Sequence, residues 1–264
     1  MTRLLLISLL LASFPGNASV TDRSKNNPLQ IQKTVVSDTL LVNIQSKITD
    51  AFVLGIRTKK NAELLVLRGK LEDLYRKKEQ NLILYWQSYL QYYLSLFYTI
   101  EQDKKLAEKE IDKGVEILKG IENKNSEDYA LLATSQNFSI QFKGMKVIFI
   151  SNSVKKNGKK AIALDPDNLR AYYALGSNDF FTPKMYGGGK KAEGYFKKAI
   201  SLPNQKIKNP YLPSWGKDDA YEYLIRFYIR EERWKEAVQY FQEGIKLYPN
   251  SYNIKALANR LKGK

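Results

Sequence analysis

From Leu40 to Leu261 apolar residues return with an unbroken helical period of about 3.6 residues, and this one pattern rules most fold classes out. Leu40, Leu41, Ile44, Ile48, Ala51 and Phe52 form a stripe behind Ser37-Asp38, which reads as an N-cap. Leu64, Leu67, Leu71, Leu74 and Tyr75 form the next, closed by Arg76, Lys77 and Lys78, cations that suit a helix C-terminus. Asn81–Ile100 carries no charge and is long enough to span a bilayer. Asn81, Gln87, Ser88, Gln91 and Ser95 interrupt it, however, and its rings lie mid-segment instead of in two interfacial belts. The expectation is a helix buried on most sides by other helices. Further pairs are expected over 127–164, 169–202 and 218–248, with a short last helix over 251–261. Between the last two pairs, 204–216 holds Pro210, Pro213 and Trp215 and reads as an ordered loop or extended strap.

The chain has no Cys and no His. That removes disulfides, thiol nucleophiles, Ser-His-Asp triads and His-bearing zinc sites, and no enzyme is expected. The net charge of +16 attracts anionic surfaces without choosing among them.

Arg3, the apolar run Leu4–Ala12 and the small residues Gly16-Asn17-Ala18 lead us to expect a signal peptide over 1–18, cleaved near Ala18. A flexible linker is expected over 19–37 and the helical domain over 38–264. With no Cys for lipid attachment, the expected location is periplasmic or secreted, and no transmembrane segment remains after cleavage.

The pair at 218–248 holds Tyr221, Leu224, Tyr228, Ala237, Phe241, Gly244 and Pro249. The pair before it holds Tyr172, Leu175, Gly176, Ala192, Phe196 and Ala199, ending at Pro203; the segment from Ser88 holds Leu94, Ser95, Tyr98, Ala107, Ile111 and Gly114. The pair ending at Pro166 keeps only Ala161 and the proline, and the pair at 39–80 fits the architecture without the motif. This spacing resembles the tetratricopeptide (TPR) repeat, whose bulky residue, Leu-Gly, Tyr, Ala, Phe, Ala and Pro fall at fixed offsets within about 34 residues. The resemblance implies an all-α fold, antiparallel helix pairs stacked as a right-handed superhelix or α-solenoid, and a protein-interaction scaffold with no cofactor or metal. Phe181–Gly188 ahead of Ala192 also resembles a variant of exported bacterial repeat proteins.

In such stacks the first helix of each pair lines the concave surface. Leu94, Tyr98, Leu175, Leu224 and Tyr228 are needed for packing, which leaves Tyr89, Tyr92, Tyr93, Tyr173, Glu222, Arg226 and Arg230 free. Aromatic and Arg side chains dominate binding hot spots, so Tyr92, Tyr173, Arg226 and Arg230 are the expected partner contacts. A protein or peptide partner is expected. The alternatives are a ligand in a Tyr-lined pocket, or anionic lipid or glycan on the lysine runs at 155–160 and 190–198; nucleic acid is disfavoured in an exported protein. Gly187-Gly188-Gly189-Lys190-Lys191 lacks P-loop spacing and reads as a glycine turn, with its helix-start amides the one feature that would suit an anion. Glu222, Glu231 and Glu236 offer no distinguished carboxylate pair and read as solvated ion pairs.

Overall fold

The computed structural model describes residues 39–264; the signal-peptide and linker expectations lie outside them. Antiparallel pairs follow one another: α1 (Ile44–Thr58) with α2 (Ala62–Lys78), α3 (Asn81–Ile100) with α4 (Lys104–Gly120), α5 (Ser126–Ser139) with α6 (Val147–Leu164), α7 (Leu169–Phe181) with α8 (Ala192–Ser201), and α9 (Lys217–Arg230) with α10 (Trp234–Leu247). Two short helices, α11 (Tyr252–Lys255) and α12 (Ala258–Leu261), end the stack where a further first helix would stand. Each first helix packs on its own second helix, on the second helix of the preceding pair and on the preceding first helix. No strand occurs among the described residues, and no helix among them is long and apolar enough to cross a membrane. The chain is an all-α solenoid.

Side-chain chemistry sets the helix boundaries. Asp103, Asn125, Asn168 and Ser251 accept hydrogen bonds from first-turn amides, and Asn125 with Asp128 completes a reciprocal capping box. Two features depart from the sequence reading: the single helix expected over 251–261 is broken by a turn at Ala256-Leu257 into α11 and α12, and the first helix starts late. Leu40 and Leu41 lie in a turn, because Asn43 adopts φ 53°, and α1 starts only at Ile44. Asn43 directs its N–H to Pro210 O at 2.9 Å, a partner distant in sequence that local periodicity does not reveal.

The small motif residues sit where helices cross. A Cβ on Gly176 would lie 2.7 Å from the Phe196 ring, so only glycine lets α7 approach α8 this closely. Phe196 is fully buried and stacks on Tyr223 of α9 at 5.9 Å, filling the groove between one pair and the next. Burying a ring of this size stabilises by roughly 1.5–3 kcal/mol. Between α3 and α4 the same role falls to Ser95, whose hydroxyl donates to Ala107 O at 2.6 Å, and to Ser88, which donates to Gly114 O at 2.8 Å. Of the polar residues that argued against a bilayer, Asn81, Gln87, Ser88 and Ser95 thus bond inside the protein, while the buried Gln91 Oε1 has no partner. In the weakest motif pair, Ala161 packs with Ala130 and Ala171, an alanine seam in place of a ring.

The segment from Pro203 to Gly216 is an ordered strap. Gln205 organises it from within, donating to Asn209 O, Leu212 O and Pro213 O while accepting from Asn209 N. Arg170, 4% exposed on α7, holds both ends: its Nη1 donates to Asn204 O at 3.1 Å and Trp215 O at 3.0 Å, while Nε and Nη2 clamp the Glu127 carboxylate at 2.5 Å. Gly216 leaves the strap at φ +101°, a left-handed conformation that favours glycine. The strap lies against the first helices of the N-terminal half. Trp215 Nε1 donates to Tyr85 OH at 2.9 Å, Trp86 Nε1 to Tyr211 O at 3.0 Å, and Ser214 N to Gln45 Oε1 at 2.8 Å.

Candidate partner-binding site

The strap decides which concave residues stay available. Trp215 packs on Tyr89 at 5.8 Å and edge-on to Tyr173 at 6.3 Å, leaving those tyrosines 2% and 7% exposed. Tyr173 also meets Tyr223 at 6.0 Å. Tyr89 and Tyr173, expected to stand free, are therefore buried, and Glu222, also expected free, is buried beside Arg226; sequence reasoning had no means to place a distant indole on the inner face of α7. Tyr92 is half-buried, edge-on to Phe138 at 5.1 Å and to Tyr93 at 5.8 Å. Burial pushes the Tyr92 and Tyr173 phenols well above their ordinary range, so both act as neutral hydroxyls.

The C-terminal part of the concave side is different. Asp219, Tyr223, Arg226 and Arg230 follow one face of α9 at helical spacing, so its charge changes sign from the strap end to the far end. Burial pushes the Asp219 carboxyl up, and the neighbouring Asp218 and Glu222 charges push it further. Burial also raises Glu222, opposed by the Arg226 guanidinium, whose Nε donates to it at 2.7 Å. At the far end Phe180, Phe181, Tyr223, Arg226, Arg230 and Arg260 line an open cleft of about 390 Å³. Three first-helix positions build it: the end of α7, the inner face of α9, and α12.

The cleft combines flat rings with fixed donors. Arg230 lies over the Phe180 ring at 4.1 Å and donates from Nη1 to Phe180 O at 2.6 Å. That stacking and the bond to Phe180 O hold the guanidinium in place. Phe181 packs edge-on to both Phe180 and Tyr223 and remains exposed. Arg226 is offset by Glu222, and Arg230 is only partly offset by Glu231, which also pairs with Lys184. Arg260 has no ion-pair partner among the described residues. The cleft therefore keeps excess positive charge beside exposed aromatic surface, a combination that takes a carboxylate next to a ring or aliphatic group. Arg226 and Arg230, expected from the sequence, come together here. Tyr173 packs on the strap's Trp215 and Tyr92 on Phe138 and Tyr93, and neither lines the cleft. Arg260, Phe180 and Phe181 were missed because they sit at helix ends, outside the repeat's inward face.

The other motifs resolve as internal structure. Asp179 Oδ2 accepts from Lys191 N and Ala192 N, each at 2.8 Å, so the chain's own carboxylate caps the amides after the glycine turn. Glu222, Glu231 and Glu236 pair with Arg226, Lys184 and Arg233. No group of acidic side chains among the described residues is placed to hold a metal.

No family model matches the chain, and no curated protein does. Among solved structures it is similar to a thermophilic TPR protein of Thermus thermophilus, with a TM-score of 0.54 at 14% identity over 81% of this chain and 98% of that one. An assembly chaperone of RpL4, Acl4, aligns over 82% of this chain and 95% of its own at 9% identity, but its TM-score of 0.39 supports no argument. The first likeness shows the fold: helix pairs stacked as in a TPR protein.

Proposed function

We propose that this chain is a non-catalytic interaction scaffold that captures an acidic, aromatic-bearing segment of a protein partner in the cleft between α7, α9 and α12. The observation that carries this reading is the convergence of Arg226, Arg230 and Arg260 on the exposed Phe181 ring and the half-buried Phe180 and Tyr223 rings. Guanidinium groups on a rigid helix supply directional donors for carboxylates, and the rings supply apolar area at low entropic cost. An open cleft suits a peptide segment better than an enclosed small molecule. Action in the bacterial envelope belongs to the same proposal and rests on the first 18 residues of the sequence alone.

The test is fluorescence polarisation with labelled peptides that combine Asp or Glu with Phe or Trp, against the same peptides with Gln and Asn in place of the acids. The wild-type chain should bind the acidic set. The double variant R230A/R260A should lose about tenfold or more in affinity, in line with the loss of two charge-assisted contacts. Equal binding of acidic and amidated peptides, or full retention by the double variant, would remove the cleft from consideration.

A further inference from the structure

Exposed large apolar side chains occur along the whole solenoid, from Val53 and Leu54 to Leu247 and Tyr252, but they are unevenly spread. A dense group lies on the turns that join the two helices of a pair, all of which fall on one rim of the stack. The turn between α5 and α6 and the first turn of α6 present Met145, Ile148 and Phe149, which are 67–97% exposed. The turn between α7 and α8 presents Met185 and Tyr186, 82% and 70% exposed. The two turns are neighbours: Asn178, near the end of α7, donates to Asn137 Oδ1 of α5 at 3.1 Å and accepts from Ser151 Oγ of α6 at 3.0 Å. They form a single apolar tip.

Two further observations say what this tip fits. Between Asp128 and Asp165 the chain holds six lysines and no acidic residue. Lys143 is neutralised by Glu108 and Asp112, but Lys146, Lys155, Lys156 and Lys159 are exposed with no ion-pair partner among the described residues. Lys155, Lys156 and Lys159 continue the outward face of α6 that begins with Ile148 and Phe149, so apolar tip and cationic flank share one helix face. In addition, the backbone at the tip is largely satisfied internally. Lys143 N donates to Ile140 O and Lys146 N to Lys143 O; Tyr186 N donates to Pro183 O and Gly187 N to Lys184 O. A turn whose amides are already bonded loses little on leaving water, and lipid imposes that requirement more strictly than a wet protein interface does.

We propose that this rim docks on an anionic lipid bilayer, with Met145, Ile148, Phe149, Met185 and Tyr186 entering the headgroup–acyl boundary and the α6 lysines resting against lipid phosphates. A fluid bilayer accommodates exposed side chains of this kind without a complementary pocket. Amphipathic surfaces rich in Lys on one side and in large apolar groups on the other behave in this way at membrane interfaces. The proposal rests on side chains other than those that line the arginine cleft and is tested separately from it.

The experiment is co-sedimentation of the full chain with phosphatidylcholine vesicles that contain phosphatidylglycerol, against phosphatidylcholine alone. Wild type should bind the anionic vesicles, and added salt should weaken the binding. I148S/F149S and K155E/K159E should each lower the affinity by about tenfold or more while the helical spectrum stays unchanged. The apolar run at Leu4–Ala12 is common to all variants and cancels in the comparison. In an otherwise unchanged chain, F149W should gain a blue-shifted, lipid-quenchable emission component on vesicle addition. Variants that bind like wild type, an F149W indole that stays in water, or a rim that instead mediates self-association by analytical ultracentrifugation would each overturn the proposal.

Discussion

The two halves of the concave side are built from the same materials and end in opposite states. In the N-terminal half Tyr85, Trp86 and Tyr89 lie on α3 with the strap across them, and all three are buried. In the C-terminal half Phe180, Phe181 and Tyr223 sit beside arginines and face an open cleft. The difference comes from one excursion of the chain. After α8 the strap returns over the earlier helices and places Trp215 among their rings, then leaves through Gly216 into α9. Aromatic residues on an inner helix face are therefore core or site according to whether another part of the same chain reaches them.

The largest expected effect tests that division directly. Trp215→Ala removes the indole and its bond to Tyr85, so it should destabilise by about 3–5 kcal/mol in urea unfolding. A change below about 1 kcal/mol would mean that the strap merely rests on the closed half.

In the open half no strap contributes, and packing within the last helix pair must carry the load. Ala237 is fully buried between α9 and α10, and Ala237→Leu should cost about 1–3 kcal/mol by overpacking. An unchanged melting midpoint would contradict the tight α9–α10 crossing.

A smaller, pH-dependent effect tests burial at the start of α5. Burial on α5 is the main cause that pushes the Asp128 carboxyl up to about 7, against the hydrogen bond from Asn125 N. The unfolded chain ionises this group near pH 4, so the folded state holds the proton over a window the unfolded state does not. Its contribution to stability should fall as pH rises from about 4 to about 7 and stay low above that. Asp128→Asn should flatten this slope while preserving the cap through its side-chain oxygen. Parallel denaturation curves for the variant and wild type across that window would show that Asp128 ionises normally.

The smallest expected effect on stability belongs to the cleft. Arg260 is exposed and pairs with nothing among the described residues, so Arg260→Ala should leave the unfolding midpoint within about 0.5 kcal/mol. The same change should weaken capture of the acidic peptides. A loss of stability without a loss of binding would reverse the roles assigned to the two halves.

Much of the architecture was legible before any coordinates. Tyr221, Leu224, Tyr228, Ala237 and Gly244 are buried where the repeat spacing puts them, and Phe196, at its motif position, is buried between one pair and the next. The first pair, without the motif, still packs as a pair because Ile44, Ile48, Leu64 and Leu71 keep the stripe. The site was legible in part. Arg226 and Arg230 project together because they stand one helical turn apart on the inward face of α9. Tyr173 stands on an inward face too, yet it is covered, and Arg260 enters the cleft from a short terminal helix that shows little periodicity.

What the sequence determined by itself is whatever repeats locally: helices, because period and caps act over a few residues, and pair packing, because small and large residues recur at fixed offsets within one repeat. What only the tertiary structure decided is whatever depends on a meeting between distant segments. Ser214 reaches Gln45 across a separation of 169 residues, Trp215 reaches Tyr85 across 130, and Arg170 joins Glu127 to both ends of the strap. Such contacts follow from where the folded backbone returns, a global quantity that no short window of side chains encodes.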